Sequence, residues 1–334
     1  MAEINSARGR MQAVNKPDFF IVGAPKSGTT ALYSYLAGHP DIGMAKEKEP
    51  HFFASDVVGH QRGSSTLAQY LRNFDHATGK RRIGEASTSY LASRRACQEI
   101  RDFNPNAQMI VMVRNPIDVI HALHSQRVLA GREHITRFES AVDSLETRYW
   151  QSGRYRGEAV LQLSYREATR LSGQIQRYFD AFGRQRVHVI LFDDFARAPG
   201  IEYEEVLRFL GVRSDGRRDF EIINGNRRMR SEALQKTLRQ LSGKFWRIER
   251  AFPTWCREAR AIAARLNYVH EPRPAMDAGF RRRLEVEYAP EIRNLEKLLG
   301  RTLEHWLAGS SRVVQNPEPS GSHLDDCPVA QLGR

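Results

Sequence analysis

The chain has 334 residues, 41% of them hydrophobic, enough for one large core or two smaller ones. Its 51 lysines and arginines against 39 acids leave a net charge of +12, which suits anionic ligands such as nucleotides, nucleic acids, lipid headgroups or acidic glycans. Cys97, Cys256 and Cys327 are far apart with no C-x-x-C pair, which argues against a disulfide framework or a thiolate metal site, and no apolar run nears the roughly 18 residues of a membrane span.

Residues 1–16 lack the apolar centre of a secretory signal and read as a flexible N-terminus, in keeping with a reducing cytoplasm. The first organised stretch is Asp18 to Leu32. A Phe/Ile/Val run reads as a buried strand, Gly23 to Gly28 as a loop, and Thr29 to Ala37 as a helix. A loop between strand and helix can cradle a phosphate on backbone N–H groups, and Lys26, Ser27, Thr29 and Thr30 add charge and donors around Gly28. A nucleotide-hydrolysing loop places its lysine directly after the second glycine; here Thr29 stands there and the lysine is Lys26. The loop resembles the 5′-phosphosulfate loop of sulfotransferases that use PAPS (3′-phosphoadenosine-5′-phosphosulfate; product PAP), whose common form is P-K-S/T-G-T-T. That resemblance implies that Lys26, Ser27, Gly28, Thr29 and Thr30 bind the cofactor, with Lys26 also stabilising the departing oxygen.

Next comes Lys46-Glu47-Lys48-Glu49-Pro50-His51-Phe52-Phe53, by default a solvated charge run followed by core aromatics. It is similar to the K-E-P/V-H-F-F segment of heparan-sulfate-type and bacterial sulfotransferases. By position the resemblance makes Glu49 the general base, with His51 beside it as an assistant or a packed imidazole. A carboxylate of ordinary pKa about 4.3 is ionised at neutral pH and can take the acceptor's proton. Residues 54–80 read as a polar insertion over the cleft, amphipathic near 67–74. Arg82 to Leu91 then reads as a short strand, a Ser/Thr turn and a helix. It resembles the family's acceptor segment, which implies that Glu85, Ser87 and Tyr90 bind substrate; Ala86 replaces the usual lysine, which disfavours a heparan-like acceptor.

Gln108 to Val113 is almost wholly apolar and reads as a central parallel strand covered on both faces, delivering Arg114-Asn115-Pro116 to the ligand crevice. A P-loop ATPase puts an acid at a comparable strand end. In the family resemblance Arg114 meets the 3′-phosphate of PAPS together with a serine eight residues on; Ala122 holds that position, and Ser125, roughly on the same face of the same predicted helix, is the candidate to substitute. Helices are expected over 137–182, a strand over 186–192, and helix capping by Asp193-Asp194. The loop 224–231 offers Arg227, Arg228 and Arg230 for phosphate, against the plainer reading of a solvated basic segment. Residues 233–307 read as mostly helical, ending in an apolar stripe over 291–306, and 309–334 as a disordered tail.

The expectation is an α/β, P-loop-like three-layer domain over 17–308, a central mainly parallel sheet flanked by helices. The resemblance implies a cytoplasmic, bacterial sulfotransferase moving a sulfuryl group in line from PAPS to a carbohydrate, lipid or small-molecule acceptor, with no metal and no nucleic-acid partner. A P-loop kinase and a non-catalytic polyanion-binding protein remain the alternatives.

Overall fold

The computed structural model describes residues 15–58, 66–151, 165–221, 227–229, 268–270 and 273–308. Five strands make one wholly parallel sheet: β1 (Phe19–Ile21), β2 (Ile42–Met44), β3 (Arg82–Ala86), β4 (Gln108–Val113) and β5 (Val187–Leu191), in the order β2-β3-β1-β4-β5. The chain runs from β1 out to the β2 edge, returns at β3, and then crosses to the other side of β1. The direction of winding therefore reverses around β1, and a crevice opens there beyond the strand ends.

Alternation along the strands builds two cores. Phe19 and Ile21 of β1, with Ile110 and Met112 of β4, face a layer formed by α1 (Thr29–Ala37), α9 (Phe192–Arg197) and α10 (Pro199–Leu210). Phe20, Val22, Met109, Val111 and Val113 face the opposite layer, which includes α5 (Ala96–Phe103), α8 (Leu171–Phe182) and α11 (Ala278–Leu299). Both faces of β4 are thus covered, which is why its sequence is apolar without alternation. The strand leads through Asn115 into α6 (Pro116–Leu129), where the Asn115 side chain accepts from the Ile117 N–H at 3.0 Å and Pro116 occupies the first turn. Among the described residues, the remaining α-helices between β2 and α8 are α2 (Ser55–Val58), α3 (Leu67–Leu71), α4 (Ser89–Ala92) and α7 (Phe138–Gln151).

Four expectations change. The segment after His51 is more than a polar cover: Tyr70 and Phe74, one helical turn apart, are fully buried, and Phe52 stacks on Tyr70 at 4.6 Å. Arg227 and Arg228 lie on a strand rather than in a loop, because Arg227–Met229 (β6) pairs antiparallel with Tyr268–His270 (β7), forty residues on where helix was expected. The apolar stripe over 291–306 is not one helix: α11 runs from Ala278 to Leu299, stops at Gly300 with φ 68°, and leaves Trp306 in a separate 3-10 turn. Asp193 and Asp194 sit inside the first turn of α9 without capping it; Asp193 accepts from Trp306 Nε1 and Asp194 pairs with Arg301. Arg230, the rest of the basic loop and both expected flexible termini, bar residues 15 and 16, fall outside the described residues.

Candidate active site

The loop after β1 stays locked to β4 before it turns. The Val22 and Ala24 N–H groups donate to the Ile110 and Met112 carbonyls at 2.8 and 2.7 Å. Gly23 has to be glycine, since a Cβ there would lie 2.6 Å from the Met112 carbonyl oxygen. Lys26 then adopts φ 64° and Gly28 φ 88°, and α1 begins at Thr29 with no side chain capping it. The start of this nine-residue helix is of the kind at which an anion is stabilised. Ser27 is fully buried, and its Oγ has no hydrogen-bond partner among the described residues. A buried hydroxyl left unpaired costs free energy.

Beside this loop, at the end of β4, Arg114 bridges to it: Nη1 donates to the Lys26 carbonyl at 3.2 Å and the guanidinium stacks on Phe192 at 4.4 Å. Its Nε is buried without a partner among the described residues. Burial pulls the Arg114 guanidinium below its usual range, against the opposing pull of Asp118 and Asp193. A second cation, unforeseen from the sequence, lies within electrostatic reach. Burial and the charge of Arg114 draw Arg273 down to about 10. His121, one turn past Asp118 on α6, is drawn down to about 4 by burial and by the Arg273 charge, so it stays neutral. Of the two acids that face Arg114, Asp118 is already paired with Arg281 at 3.3 Å and Asp193 accepts from Trp306 Nε1. Cationic charge therefore exceeds acidic charge in a partly desolvated corner, where a dianion is stabilised strongly.

Ser125 lies on α6, where its hydroxyl donates to the His121 carbonyl at 3.1 Å. Ala122 points into the core at 1% exposure.

The third part comes from the segment after β2. Glu49 and His51 have φ 63° and 55°; with Lys26 they are the three non-glycine residues of left-handed backbone among the described residues. Such conformations cost on the order of 1–3 kcal/mol each and persist where surrounding contacts enforce them. Those contacts are visible. The Glu49 N–H donates to the Ala86 carbonyl at 3.0 Å, the His51 N–H to Ser87 Oγ at 3.2 Å, and Thr88 Oγ1 to Glu49 Oε1 at 3.1 Å. Lys48 Nζ lies 2.9 Å from Glu49 Oε1, and His51 Nε2 lies 3.6 Å from Glu49 Oε2. Burial alone would raise the Glu49 carboxyl, but Lys48, His51 and the Thr88 hydroxyl outweigh it and hold the group below its ordinary value. Glu49 is therefore an ionised, half-buried carboxylate.

Glu85, Ser87 and Tyr90, expected at the acceptor, are instead sealed behind it at 0–1% exposure. Ser87 Oγ donates to Glu85 Oε1 at 2.7 Å, Tyr70 Oη donates to Glu85 Oε2, and Tyr90 adds a third hydroxyl. Ser87 also ties this group to the Glu49–His51 segment by accepting the His51 N–H at 3.2 Å. Tyr70 was not legible as part of this group, because only tertiary packing brings it to Glu85.

An uncapped helix N-terminus with two arginines near it, and an ionised carboxylate on the segment after β2, are carried by a five-stranded parallel sheet flanked by helices, an α/β domain. The sulfotransferase domain family matches residues 16–247, and the chain belongs to that family. It is 37% identical to heparan sulfate glucosamine 3-O-sulfotransferase 6 of Homo sapiens over 101 residues, 30% of this chain and 28% of the relative. It is 30% identical to carbohydrate sulfotransferase 15 of Homo sapiens over 147 residues, 32% of this chain and 26% of the relative. The chain thus spans less than a third of the length of these curated relatives. The crystal structure of a sulfotransferase from Alicyclobacillus acidocaldarius aligns with a TM-score of 0.66 at 29% identity, over 87% of this chain and 98% of that one.

Proposed function

We propose that the chain is a PAPS-dependent sulfotransferase acting on a hydroxyl or amine of a carbohydrate, lipid or small-molecule acceptor. The observation that carries this reading is the pair of buried, unpartnered polar atoms, Ser27 Oγ and Arg114 Nε, at the ends of adjacent strands. They fit a ligand with two separate anionic groups. Ser27, Gly28, Thr29 and Thr30 would hold the 5′ end at the start of α1, and Arg114 with Arg273 the 3′-phosphate. PAPS, when bound, supplies the activated sulfuryl group. Lys26 sets an ammonium where negative charge grows on the departing oxygen. Glu49 receives the acceptor's proton on a carboxylate oxygen, and its neighbours keep it ionised beforehand. Ala86 is buried at 0% exposure, so the position that carries a lysine in heparan-type relatives gives no cation to the acceptor, and a heparan chain is not the acceptor we propose.

The test is a calorimetric titration with PAP, AMP, and ATP with Mg²⁺. PAP is expected to bind at least tenfold tighter than AMP, because two arginines have a 3′-phosphate to meet. Equal affinity for PAP and AMP overturns the reading. Preference for ATP with Mg²⁺ moves it to a kinase, and binding of a sulfated polysaccharide without nucleotide selectivity moves it to a polyanion-binding protein.

A further inference from the structure

The turn after β3 carries three hydroxyls in succession, and each takes a different atom of the segment 49–51. Ser87 Oγ accepts the His51 N–H at 3.2 Å, Thr88 Oγ1 donates to Glu49 Oε1 at 3.1 Å, and Ser89 Oγ lies 2.7 Å from His51 Nδ1. The first two hold backbone and carboxylate. The third holds a titratable ring by one nitrogen while the other, Nε2, faces Glu49 Oε2 at 3.6 Å. The backbone at Glu49 and His51 is left-handed and does not by itself set this orientation comfortably. Ser89 itself is well fixed. It starts α4, and the next residue, Tyr90, is fully buried with its carbonyl accepting from Tyr178 Oη at 2.8 Å.

The electrostatics choose between the two neutral forms of the ring. An ionised Glu49 attracts an N–H on Nε2 and repels a lone pair there, which leaves the lone pair on Nδ1. The Ser89 hydroxyl can donate to that lone pair. We propose that Ser89 is a positioning residue for proton removal: by donating to His51 Nδ1 it selects the tautomer whose Nε2–H is turned to Glu49, and so reserves Glu49 as the proton acceptor. The acceptor's proton passes to a Glu49 oxygen, while Ser89 and His51 each keep the proton they hold. This assignment rests on the sulfotransferase reading of Glu49.

The first measurement is ¹⁵N NMR of the imidazole nitrogens in the resting protein at neutral pH. His51 Nε2 is expected to show the protonated, pyrrole-type signal and Nδ1 the lone-pair, pyridine-type signal, with Ser89→Ala averaging the two and Ser89→Thr restoring them. The second is kinetic. Ser89→Ala is expected to lower kcat roughly tenfold, less than the roughly 10²–10⁴-fold of removing a whole base, with KM for PAPS unchanged. Ser89→Thr should recover most of the loss, and Ser89→Ala/His51→Ala should be no slower than His51→Ala alone. An Nδ1–H tautomer in the wild type, or a ring spectrum indifferent to Ser89→Ala, overturns the proposal. The spectra need no substrate, so they judge Ser89 separately from the PAP titration, which judges the reaction. Thermal midpoints within a few degrees of wild type show that each variant is folded.

Discussion

Glu85 gives a direct handle on how the site is held. Its carboxyl is fully buried, and burial pushes it up from an ordinary 4.5 to about 7, with the Tyr70, Tyr90 and Ser87 hydroxyls pulling the other way. A folded-state value above the unfolded one means that the folded chain binds this proton more tightly. The stability it contributes is full below about 4.5 and is lost as pH rises through about 7. At about 1.36 kcal/mol for each tenfold step, the whole window is worth about 3 kcal/mol, of which about 2.5 kcal/mol falls between pH 5 and 8. Glu85→Gln keeps the shape and is neutral throughout. Urea denaturation of both proteins at pH 5 and pH 8 isolates this one group, because the other titrating groups cancel in the difference. Wild type is expected to lose about 2–3 kcal/mol relative to Glu85→Gln on going from pH 5 to 8. An unchanged difference would refute the reasoning, for it would mean that Glu85 ionises as it does in water. A change of opposite sign would mean that three hydroxyls stabilise the anion more than burial opposes it.

Three further outcomes are expected. Glu49→Gln should keep PAP affinity within about twofold while turnover with a competent acceptor falls roughly 10²–10⁴-fold; near-full activity would make Glu49 a surface carboxylate. Arg273→Ala should weaken PAP several-fold and leave AMP unchanged, since Arg273 adds its charge to that of Arg114; equal losses for PAP and AMP would place Arg273 away from the 3′-phosphate. Asn115→Ala removes the α6 cap and the 3.0 Å bond from Asn115 Nδ2 to the Trp306 carbonyl, so it should cost about 1–3 kcal/mol in urea denaturation; a cost under about 0.5 kcal/mol would show that water replaces both bonds.

The strained residues link folding to function. Lys26 in the loop after β1, and Glu49 and His51 in the segment after β2, each adopt a backbone that a side chain disfavours. The compensation comes from contacts that are distant in sequence. Arg114 holds the Lys26 carbonyl, while Ala86, Ser87, Thr88 and Ser89 hold Glu49 and His51. Contacts around the site enforce the geometry in advance of any ligand, so binding need not supply that ordering.

Much of this was legible in the chain because it is local. Phe19–Ile21, the glycine loop and Thr29–Ala37 form a contiguous strand, loop and helix, so apolar period and turn residues suffice to place Lys26 to Thr30 at the start of a helix. The unbroken apolarity of Gln108–Val113 likewise required cover on both faces, and so a central position with Arg114 at its end. What only the tertiary structure decided are contacts across long separations that leave no periodic trace. Arg273 meets the corner of Arg114 from 159 residues away. Tyr70 leaves an apparently polar insertion to reach Glu85, and Arg227–Met229 becomes a strand because Tyr268–His270 is there to pair with it. Glu85, Ser87 and Tyr90 have the residue types of a substrate site, yet packing seals them. A side chain's chemistry is written in its residue type, but whether that chemistry faces a ligand or a neighbour is fixed by burial, and burial belongs to the folded whole.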